Sequence, residues 1–271
     1  MPRSIWNGTV TFGLMTVPIK LYTAVENKTV RFREVHLPDT AKVEHRRFCS
    51  KEDREVPYEE IVKGFEVAED EYVVLAKEEI AAAAGDGGHR IDVEHFVPSA
   101  DIDPVFYDRT YYVGAGKDGD EAHRLLHDAL DRTGRAGIGR FTFHDREYLS
   151  AIRARDGVLV LHTLHFADEL VPPHDIEVAE ASKAPSEREV EMAASLVEQL
   201  HARFDAERYE DEHRAAVLAL IERKAKGEEI EPPPDEKPEE PDDLMAALQA
   251  SLDASKGKGS KGRSKAKKGG R

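Results

Sequence analysis

The chain has 271 residues, a length that predicts one sizeable domain with appended segments rather than three domains. No stretch of about 18 apolar residues occurs and Met1-Pro2-Arg3-Ser4 leads directly into strand-like sequence, so we expect a cytoplasmic protein without a membrane span or a signal peptide. The single cysteine, Cys49, excludes an intrachain disulfide and a zinc site built on paired thiolates.

Charge is distributed unevenly along the chain. The formal net charge is −15, but residues 256–271 carry eight basic side chains and no acidic one, so residues 1–255 carry −23. A segment rich in glycine, serine and lysine cannot bury apolar surface, and we expect a disordered tail that contacts phosphates irrespective of sequence. A solubilising tail without a partner is the alternative. The candidate contacts in the tail are Lys256, Lys258, Lys261, Arg263, Lys265, Lys267 and Lys268.

Alternation of apolar and polar residues predicts short strands through the first 180 or so residues. Residues 6–12 and 17–24 form a predicted hairpin around Gly13. This number of short strands is typical of a barrel or a closed sheet. The further predicted strands are 29–35, 72–76, 91–97, 106–113, 139–144, 148–153 and 158–166.

Two predicted helices interrupt these strands, at 77–84 and 120–132. Each should lie on the sheet, because the second carries one apolar stripe along its length. The residues of that stripe are Ala122, Leu125, Leu126, Ala129 and Leu130.

A helical pair is predicted after the strands. The first helix begins near Ser186, which forms a capping box with Glu189, and the second covers 210–224. The pair is too small to be stable alone, so it packs either on its own barrel or on a second subunit. The apolar positions of the first helix include Val190, Val197, Leu200 and Phe204.

The acidic, proline-rich residues 231–241 predict a stiff, extended linker. Leu244, Leu248 and Leu252 then share one face of a segment that is too short to hold a helix unaided in water. This segment is either a docking peptide or a minor helix packed back on the body.

No catalytic constellation is evident in the sequence, because the G-x-S-x-G, Walker A and H-E-x-x-H patterns are missing. We interpret residues 114–117 as a turn, and Asp101 and Asp103 as an acidic turn before proline rather than a cation site. His162 and His165 fall on opposite faces of a predicted strand, which disfavours a shared metal. We therefore expect no enzymatic activity, no cofactor and no metal site.

Basic residues cluster in an otherwise acidic body. Arg31 and Arg33 alternate with Phe32, so both guanidinium groups should point to one face of the predicted strand. No recognition helix is apparent, so contacts would be made to phosphates rather than to bases. On the residues alone, nucleic-acid contact and a merely solvated surface are both open. The candidate residues are Arg31, Arg33, Arg46, Arg47, Lys51, Arg54 and Arg140.

Several segments resemble the prokaryotic Ku proteins of non-homologous end joining. The resemblance spans residues 3 to about 228 and departs at FCSKEDREV, where relatives often carry a further cysteine or glycine near Cys49. A metal site at that position is therefore not supported. The matching segments are RSIWNGTVTFGLMTVPIKLYTAVE, VPYEEIVKGFEV, DPVFYDRTYYV, GIGRFTFHDREYLSAIRARDGVLVLHTLHFADEL and EREVEMAASLVEQLHARFDAERYEDEHRAAVLALIERK.

The resemblance implies an α+β, mainly β fold in four parts. Residues 1–180 would form a Ku-type β-barrel with bridge loops, 181–230 a helical arm that makes dimer or partner contacts, 231–255 the linker and short amphipathic segment, and 256–271 the disordered tail.

The resemblance also implies a function. Two copies would form a homodimeric ring on broken ends of double-stranded DNA, associated with the nucleoid and without ATPase activity or a nucleotide cofactor. The ring would recruit and stimulate the ATP-dependent DNA ligase D. The residues predicted to contact the second copy or another partner are Val190, Val197, Leu200, Phe204, Leu244, Leu248 and Leu252.

Two rival functions are left open by the sequence. One is an acidic scaffold that its basic tail tethers to the nucleoid. The other is a nuclease or hydrolase that uses Asp101, Asp103 and a histidine.

Overall fold

The computed structural model describes residues 3–83, 89–143, 146–176, 184–228 and Gln249. The chain divides into two compact units, of which the first is Met1–Lys28 with Phe32–Asp175 and the second is Thr29–Arg31 with Ile176–Arg271.

The described residues contain eleven strands and four α-helices. The strands are β1 (Trp6–Phe12), β2 (Met15–Thr23), β3 (Phe48–Cys49), β4 (Arg54–Glu55), β5 (Lys63–Ala68), β6 (Glu71–Leu75), β7 (Arg90–Pro98), β8 (Tyr107–Ala115), β9 (Arg135–Phe143), β10 (Arg146–Arg155) and β11 (Val158–Leu164). The helices are α1 (Lys77–Ala83), α2 (Asp120–Thr133), α3 (Glu187–Gln199) and α4 (Glu212–Ala225).

Seven strands of the first unit form a closed barrel in the order β1-β2-β8-β11-β10-β9-β7. All neighbours are antiparallel except β1 and β7, which run parallel and close the barrel. The predicted barrel and its opening hairpin are therefore confirmed.

Alternate residues of each barrel strand point inward and form the main core. In β2 these are Val17, Ile19 and Leu21, all fully buried, and Ile152 and Leu161 face them from β10 and β11. Each fully buried aliphatic side chain stabilises the fold by roughly 1.5–3 kcal/mol. Because the core fixes the inward residues, it also fixes which side chains each strand presents outward.

Helix α2 contacts β2, β8, β9 and β10 and adds Leu126 and Leu130 to the barrel core. It ends at Gly134, whose φ of 63° lies in the left-handed region that suits glycine. The predicted apolar stripe is confirmed at the two buried leucines. It is wrong at Leu125, which is 58% exposed, and at Ala129, which is also exposed.

A long segment separates β2 from β7 and has no core of its own. None of residues 25–79 is buried, although Val30, Cys49 and Val56 are half-buried. We call residues 25–79 the bridge segment. It contains two separate two-stranded sheets, β3 with β4 and β5 with β6, and neither belongs to the barrel.

The predicted strand at 29–35 is wrong. The only pairing there is an isolated bridge between Val35 and Lys42. The Arg-Phe-Arg alternation resembles a half-buried strand, but Phe32 is 73% exposed and has no sheet face to cover. The prediction at 72–76 is confirmed as β6, although this strand lies outside the barrel. β3, β4 and β5 were not predicted, because none of their residues is buried and the sequence carries no burial pattern.

In the second unit, α3 and α4 are confirmed as helices, and so is the capping box. The Ser186 backbone N–H donates to Glu189 Oε2 at 2.5 Å, and the Glu189 N–H donates to Ser186 Oγ. Neither helix contains a buried residue. Within the described ranges, no helix combines the length and the apolarity needed to cross a membrane.

Candidate nucleic-acid interface

The bridge segment leaves the barrel and returns to it at the same end. Because β2 runs antiparallel to β1 while β7 runs parallel to it, the end of β2 and the start of β7 lie on either side of the start of β1. Two strand spacings, about 10 Å, separate β2 from β7 across β1, and the register, which pairs Leu21 with Trp6 and Arg90 with Thr9, offsets their ends along the strands. The bridge segment thus lies in a long connection whose two ends meet the barrel on either side of β1.

Charge divides the bridge segment into two parts. Residues 25–54 contain eight basic and six acidic side chains, whereas residues 55–79 contain two basic and nine acidic ones. The first part has a net charge of +2 and the second of −7. An anionic ligand is therefore expected to contact the first part, which holds all but one of the candidate cations in the folded body.

Three of the predicted cations are exposed and form ion pairs within the chain. Arg46 Nη1 lies 3.2 Å from Glu55 Oε2, and Arg140 Nε lies 3.5 Å from Glu94 Oε1. Arg54 contacts Glu60 and Glu52, whose hydrogen bonds raise the pKa of its guanidinium. A phosphate that binds these arginines has to displace a carboxylate.

Other predicted cations have no carboxylate partner among the described residues. Arg33 and Lys51 are exposed, and the Arg47 guanidinium lies 5.3 Å from the centre of the Tyr58 ring. Arg31 is also exposed, but no strand forms there, so the prediction that Arg31 and Arg33 share one strand face is wrong. The unpaired cations Arg33, Arg47 and Lys51 keep their full charge for an external anion.

The outer face of the barrel carries a second basic surface, which sequence reasoning missed. Tyr22 on β2 lies opposite Tyr112 on β8, Tyr112 opposite Val160 on β11, and Val160 opposite Arg153 on β10. Their sequence neighbours occupy the core, so these side chains point outward. Arg155 follows Arg153 on the same face. These outward residues become neighbours only through the register of the strands, which the sequence alone does not supply.

His162 lies at the centre of this outer surface. Arg153 Nε donates to His162 Nε2 at 3.1 Å, so Nε2 is unprotonated and the proton lies on Nδ1, 3.0 Å from Thr110 Oγ1. The ring of Tyr107 meets the imidazole edge to face at 4.8 Å. Burial, followed by the charges of Arg153 and Arg155, lowers the pKa of His162 to about 4. The imidazole is therefore neutral at physiological pH.

The residues considered for catalysis have structural roles. The Asp103 carboxylate accepts the Val105 N–H at 2.9 Å and caps a short turn, as the acidic-turn interpretation predicts. Gly114 and Ala115 belong to β8, so the predicted turn at 114–117 is wrong for these two residues. Gly116 donates its N–H to the Pro18 carbonyl at 2.8 Å, and the turn follows at Lys117. His165 lies just beyond β11. Across the described ranges, no group of three or more His, Cys, Asp or Glu side chains is arranged to hold a metal.

The predicted contact residues of the helical arm are exposed. Val197 is 69% and Phe204 78% exposed, and Val190 and Leu200 are also exposed. The Phe204 ring stacks on Tyr209 with 5.8 Å between centroids. An apolar surface of this kind is typical of a protein–protein contact. The predicted contacts Leu244, Leu248 and Leu252 and the seven cations of the tail lie outside the described residues.

Comparison with known proteins connects these features to one family. Residues 11–192, from the end of β1 into α3, match the family model described as "Ku70/Ku80 beta-barrel domain". The chain is 44% identical to the "Non-homologous end joining protein Ku" of Anaeromyxobacter sp. (strain K), over 96% of this chain and 88% of that relative. Proteins of the same name from Symbiobacterium thermophilum and Bacillus subtilis are 39% and 33% identical, each over 93% of this chain. The chain covers 63% of the former and 82% of the latter.

The neutral state of His162 makes stability depend on pH. Its pKa is about 4 in the folded state, below the ordinary value of 6.5 that applies to the unfolded chain. The unfolded chain therefore binds more protons between these two values, and stability falls as pH falls. From pH 7 to pH 5 this residue should remove about 2 kcal/mol from the free energy of unfolding. Urea unfolding at both pH values, at one protein concentration, measures the decrease.

In His162→Gln, the part of the decrease in the free energy of unfolding that comes from His162 should disappear, because the amide does not titrate. His165→Gln, at a more exposed imidazole, serves as the matched control and should behave as the wild type. An equal pH dependence in wild type and His162→Gln would contradict the assignment of a buried, neutral His162.

Proposed function

The chain belongs to the Ku family, and from that membership we propose that it binds broken ends of duplex DNA without reading their sequence, in non-homologous end joining. The bridge segment is the observation that carries the proposal. The connection between β2 and β7 begins and ends at one end of the barrel, and the 55 residues of the bridge segment within it contain no buried side chain and carry their unpaired cations in the first part. Such a loop suits a wide, sequence-independent contact with phosphates.

We further propose that two copies form a closed ring around the duplex. A ring recognises a break by topology, because the double helix can be threaded only where it ends. Contacts along the inner rim then need only be numerous and directed at phosphates. The overall charge of −15 disfavours adsorption of DNA on the rest of the surface.

Exposed apolar side chains support the second copy. The bridge segment and the helical arm each leave large apolar groups in water, and contiguous apolar surface of this kind marks an interaction site. A second copy of the chain would cover both sets symmetrically, since a two-fold interface uses the same surfaces on each subunit. The most exposed of these side chains include Phe32, Leu37, Phe65, Tyr58, Val197 and Phe204.

Recruitment and stimulation of an ATP-dependent DNA ligase D is proposed from the family resemblance. The candidate contacts are Leu244, Leu248 and Leu252, or the exposed faces of α3 and α4. The division into a barrel core at 1–180, an arm at 181–230, a linker at 231–255 and a tail at 256–271 is proposed on the same ground, as is association with the nucleoid. We propose no catalytic role and no cofactor.

Neutralising the unpaired cations of the bridge segment should weaken end binding. In the variant with Arg33, Arg47 and Lys51 replaced by Gln, the slope of log K against log salt should fall by about 0.9 for each phosphate that is no longer bound. Fluorescence anisotropy with a short linear duplex between about 50 and 200 mM salt measures the slope. The matched control replaces Lys63 and Lys77 by Gln in the acidic part of the same segment and should leave the slope unchanged. A triple variant with the wild-type slope would remove these residues from the interface.

Access through ends alone is tested with linear and covalently closed circular DNA of identical sequence. The protein should bind the linear form, ignore the circle, and become trapped when the loaded linear molecule is circularised. Deleting residues 256–271 should lower the affinity but preserve this preference, because the ring rather than the tail selects ends. Equal loading onto nick-free circles would contradict the ring, and complete loss of binding without the tail would favour the tethered scaffold.

The dimer is tested by placing a charge on the exposed face of α3. Val197→Asp should shift the protein from dimer to monomer in sedimentation equilibrium at micromolar concentration and reduce end binding with it, because an unpaired charge cannot be buried cheaply. Leu14→Asp, at the fully exposed β1–β2 turn, is the control and should remain dimeric. A wild-type protein that is monomeric under these conditions would refute the proposal.

A further inference from the structure

Arg153 differs from the arginines of the fold that form ion pairs. Arg46, Arg54, Arg140 and Arg155 each lie within 4.0 Å of a carboxylate. Arg153 is half-buried on the outer face of the barrel, and its only hydrogen-bond partner among the described residues is the imidazole of His162. A half-buried cation without a counter-ion is unfavourable unless an anion arrives from outside.

The partner of Arg153 holds the guanidinium without neutralising it. The imidazole of His162 is fixed on its other side by Thr110 Oγ1 and at its face by Tyr107, so the acceptor Nε2 has a defined position. A carboxylate in the same place would cancel the charge, whereas a neutral ring leaves it intact. Arg153 is therefore ordered and fully charged before any ligand binds.

The surface around Arg153 suits a phosphate. Tyr112 is 48% exposed and presents a phenolic O–H. Arg155 follows on the same strand and is paired with Asp156 at 3.1 Å, so a phosphate that binds it has to displace that carboxylate. Ala151, Val160 and His162 are buried on this face, so the groups that a ligand can reach include Tyr112, Arg153 and Arg155. The outward positions of the central parts of β2, β8, β11 and β10 carry no carboxylate, and Asp156 borders them at the end of β10; the positions are Lys20, Tyr22, Thr110, Tyr112, Gly114, Val158, Val160, His162, Ala151, Arg153 and Arg155.

We infer that Arg153 contacts a phosphate of the bound duplex on the outer face of the barrel, and that His162 is the positioning residue that orders Arg153 while leaving it charged. The inference rests on the proposed function, since the anion it names is the DNA backbone. The carboxylate of a partner protein is the competing anion, and the salt dependence of binding separates the two.

The experiment compares five variants with the wild type in binding to a short linear duplex between about 50 and 200 mM salt. Arg153→Gln should weaken binding several-fold and lower the slope of log K against log salt by about 0.9, the value for one phosphate contact. Arg153→Lys should keep the slope, because the charge remains. Arg124→Gln, on α2, removes an exposed arginine outside this surface and is the matched control, with affinity and slope unchanged.

Substitutions at His162 separate positioning from packing. The amide of His162→Gln can accept from Arg153 and donate to Thr110, so the affinity and the slope should stay near the wild-type values. The carboxylate of His162→Glu should pair with Arg153 and reproduce the slope of Arg153→Gln. Thermal unfolding of each variant verifies that it is folded. If His162→Glu does not fold, Arg153→Gln and Arg153→Lys still test the phosphate contact, and His162→Gln still tests whether a neutral acceptor at position 162 is sufficient.

The outcomes are distinguishable. A wild-type protein that fails to bind ends refutes the proposed function. Wild-type binding with an unchanged affinity and slope in Arg153→Gln refutes the phosphate contact. Weaker binding in Arg153→Gln with an unchanged slope points to a protein carboxylate and also refutes it. Equal slopes in folded His162→Gln and His162→Glu overturn the positioning role.

Discussion

Closure of the barrel by the parallel pair β1 and β7 is the constraint from which the other features follow. Thr9, Val10 and Thr11 pair with Arg90, Ile91 and Asp92, and the Thr9 N–H donates to the His89 carbonyl at 2.8 Å. The approach requires a glycine at position 8, because a Cβ there would lie 2.0 Å from the His89 oxygen. Because β7 runs parallel to β1 and β2 runs antiparallel to it, the connection between β2 and β7 begins and ends at the same end of the barrel. The bridge segment lies in this connection, so the way the barrel closes decides where the bridge segment projects.

That connection is costly to order. Fixing the backbone of a residue costs roughly 1–2 kcal/mol, and the bridge segment has no buried side chain that offsets this cost. Its two small sheets contribute hydrogen bonds but no core, and a lone two-stranded sheet is at best marginally stable in water. Its order therefore depends on surfaces other than its own. Under the proposed function, DNA would contact its cations and a second copy of the chain would cover its apolar side chains.

The sequence predicted the barrel because burial leaves a period-two signal. Val17, Ile19 and Leu21 indicate β2 because they have to point inward. The same signal failed at residues 29–35, where Arg31, Phe32 and Arg33 alternate without a core to justify it. It was silent for β5, which buries nothing. Alternation therefore predicts a strand only where one face of the strand is covered.

The sequence predicted the candidate cations that are neighbours along the chain. It did not predict the contacts that strand register creates between residues of different strands. Arg46 and Arg47 are adjacent, so a cluster was visible, whereas the contact of Arg153 with His162 crosses from β10 to β11. In the sequence His162 is a lone histidine in an apolar strand. Only the pairing of Ala151 with His162 shows that Arg153 lies diagonally beside it on the same face.

An acidic protein can bind DNA because net charge matters less than which cations are already paired. The ion pairs of Arg46 and Arg54 are exposed to water, which screens them, so a phosphate can displace their carboxylates at little cost. Within the described part of the chain, Arg33, Arg47 and Arg153 have no carboxylate to displace. The paired arginines lower the potential of the free protein, and the unpaired ones are where we propose that the first phosphates bind. The same reasoning applies on the barrel, because the neutral imidazole of His162 orders the Arg153 guanidinium without lowering the local electrostatic potential.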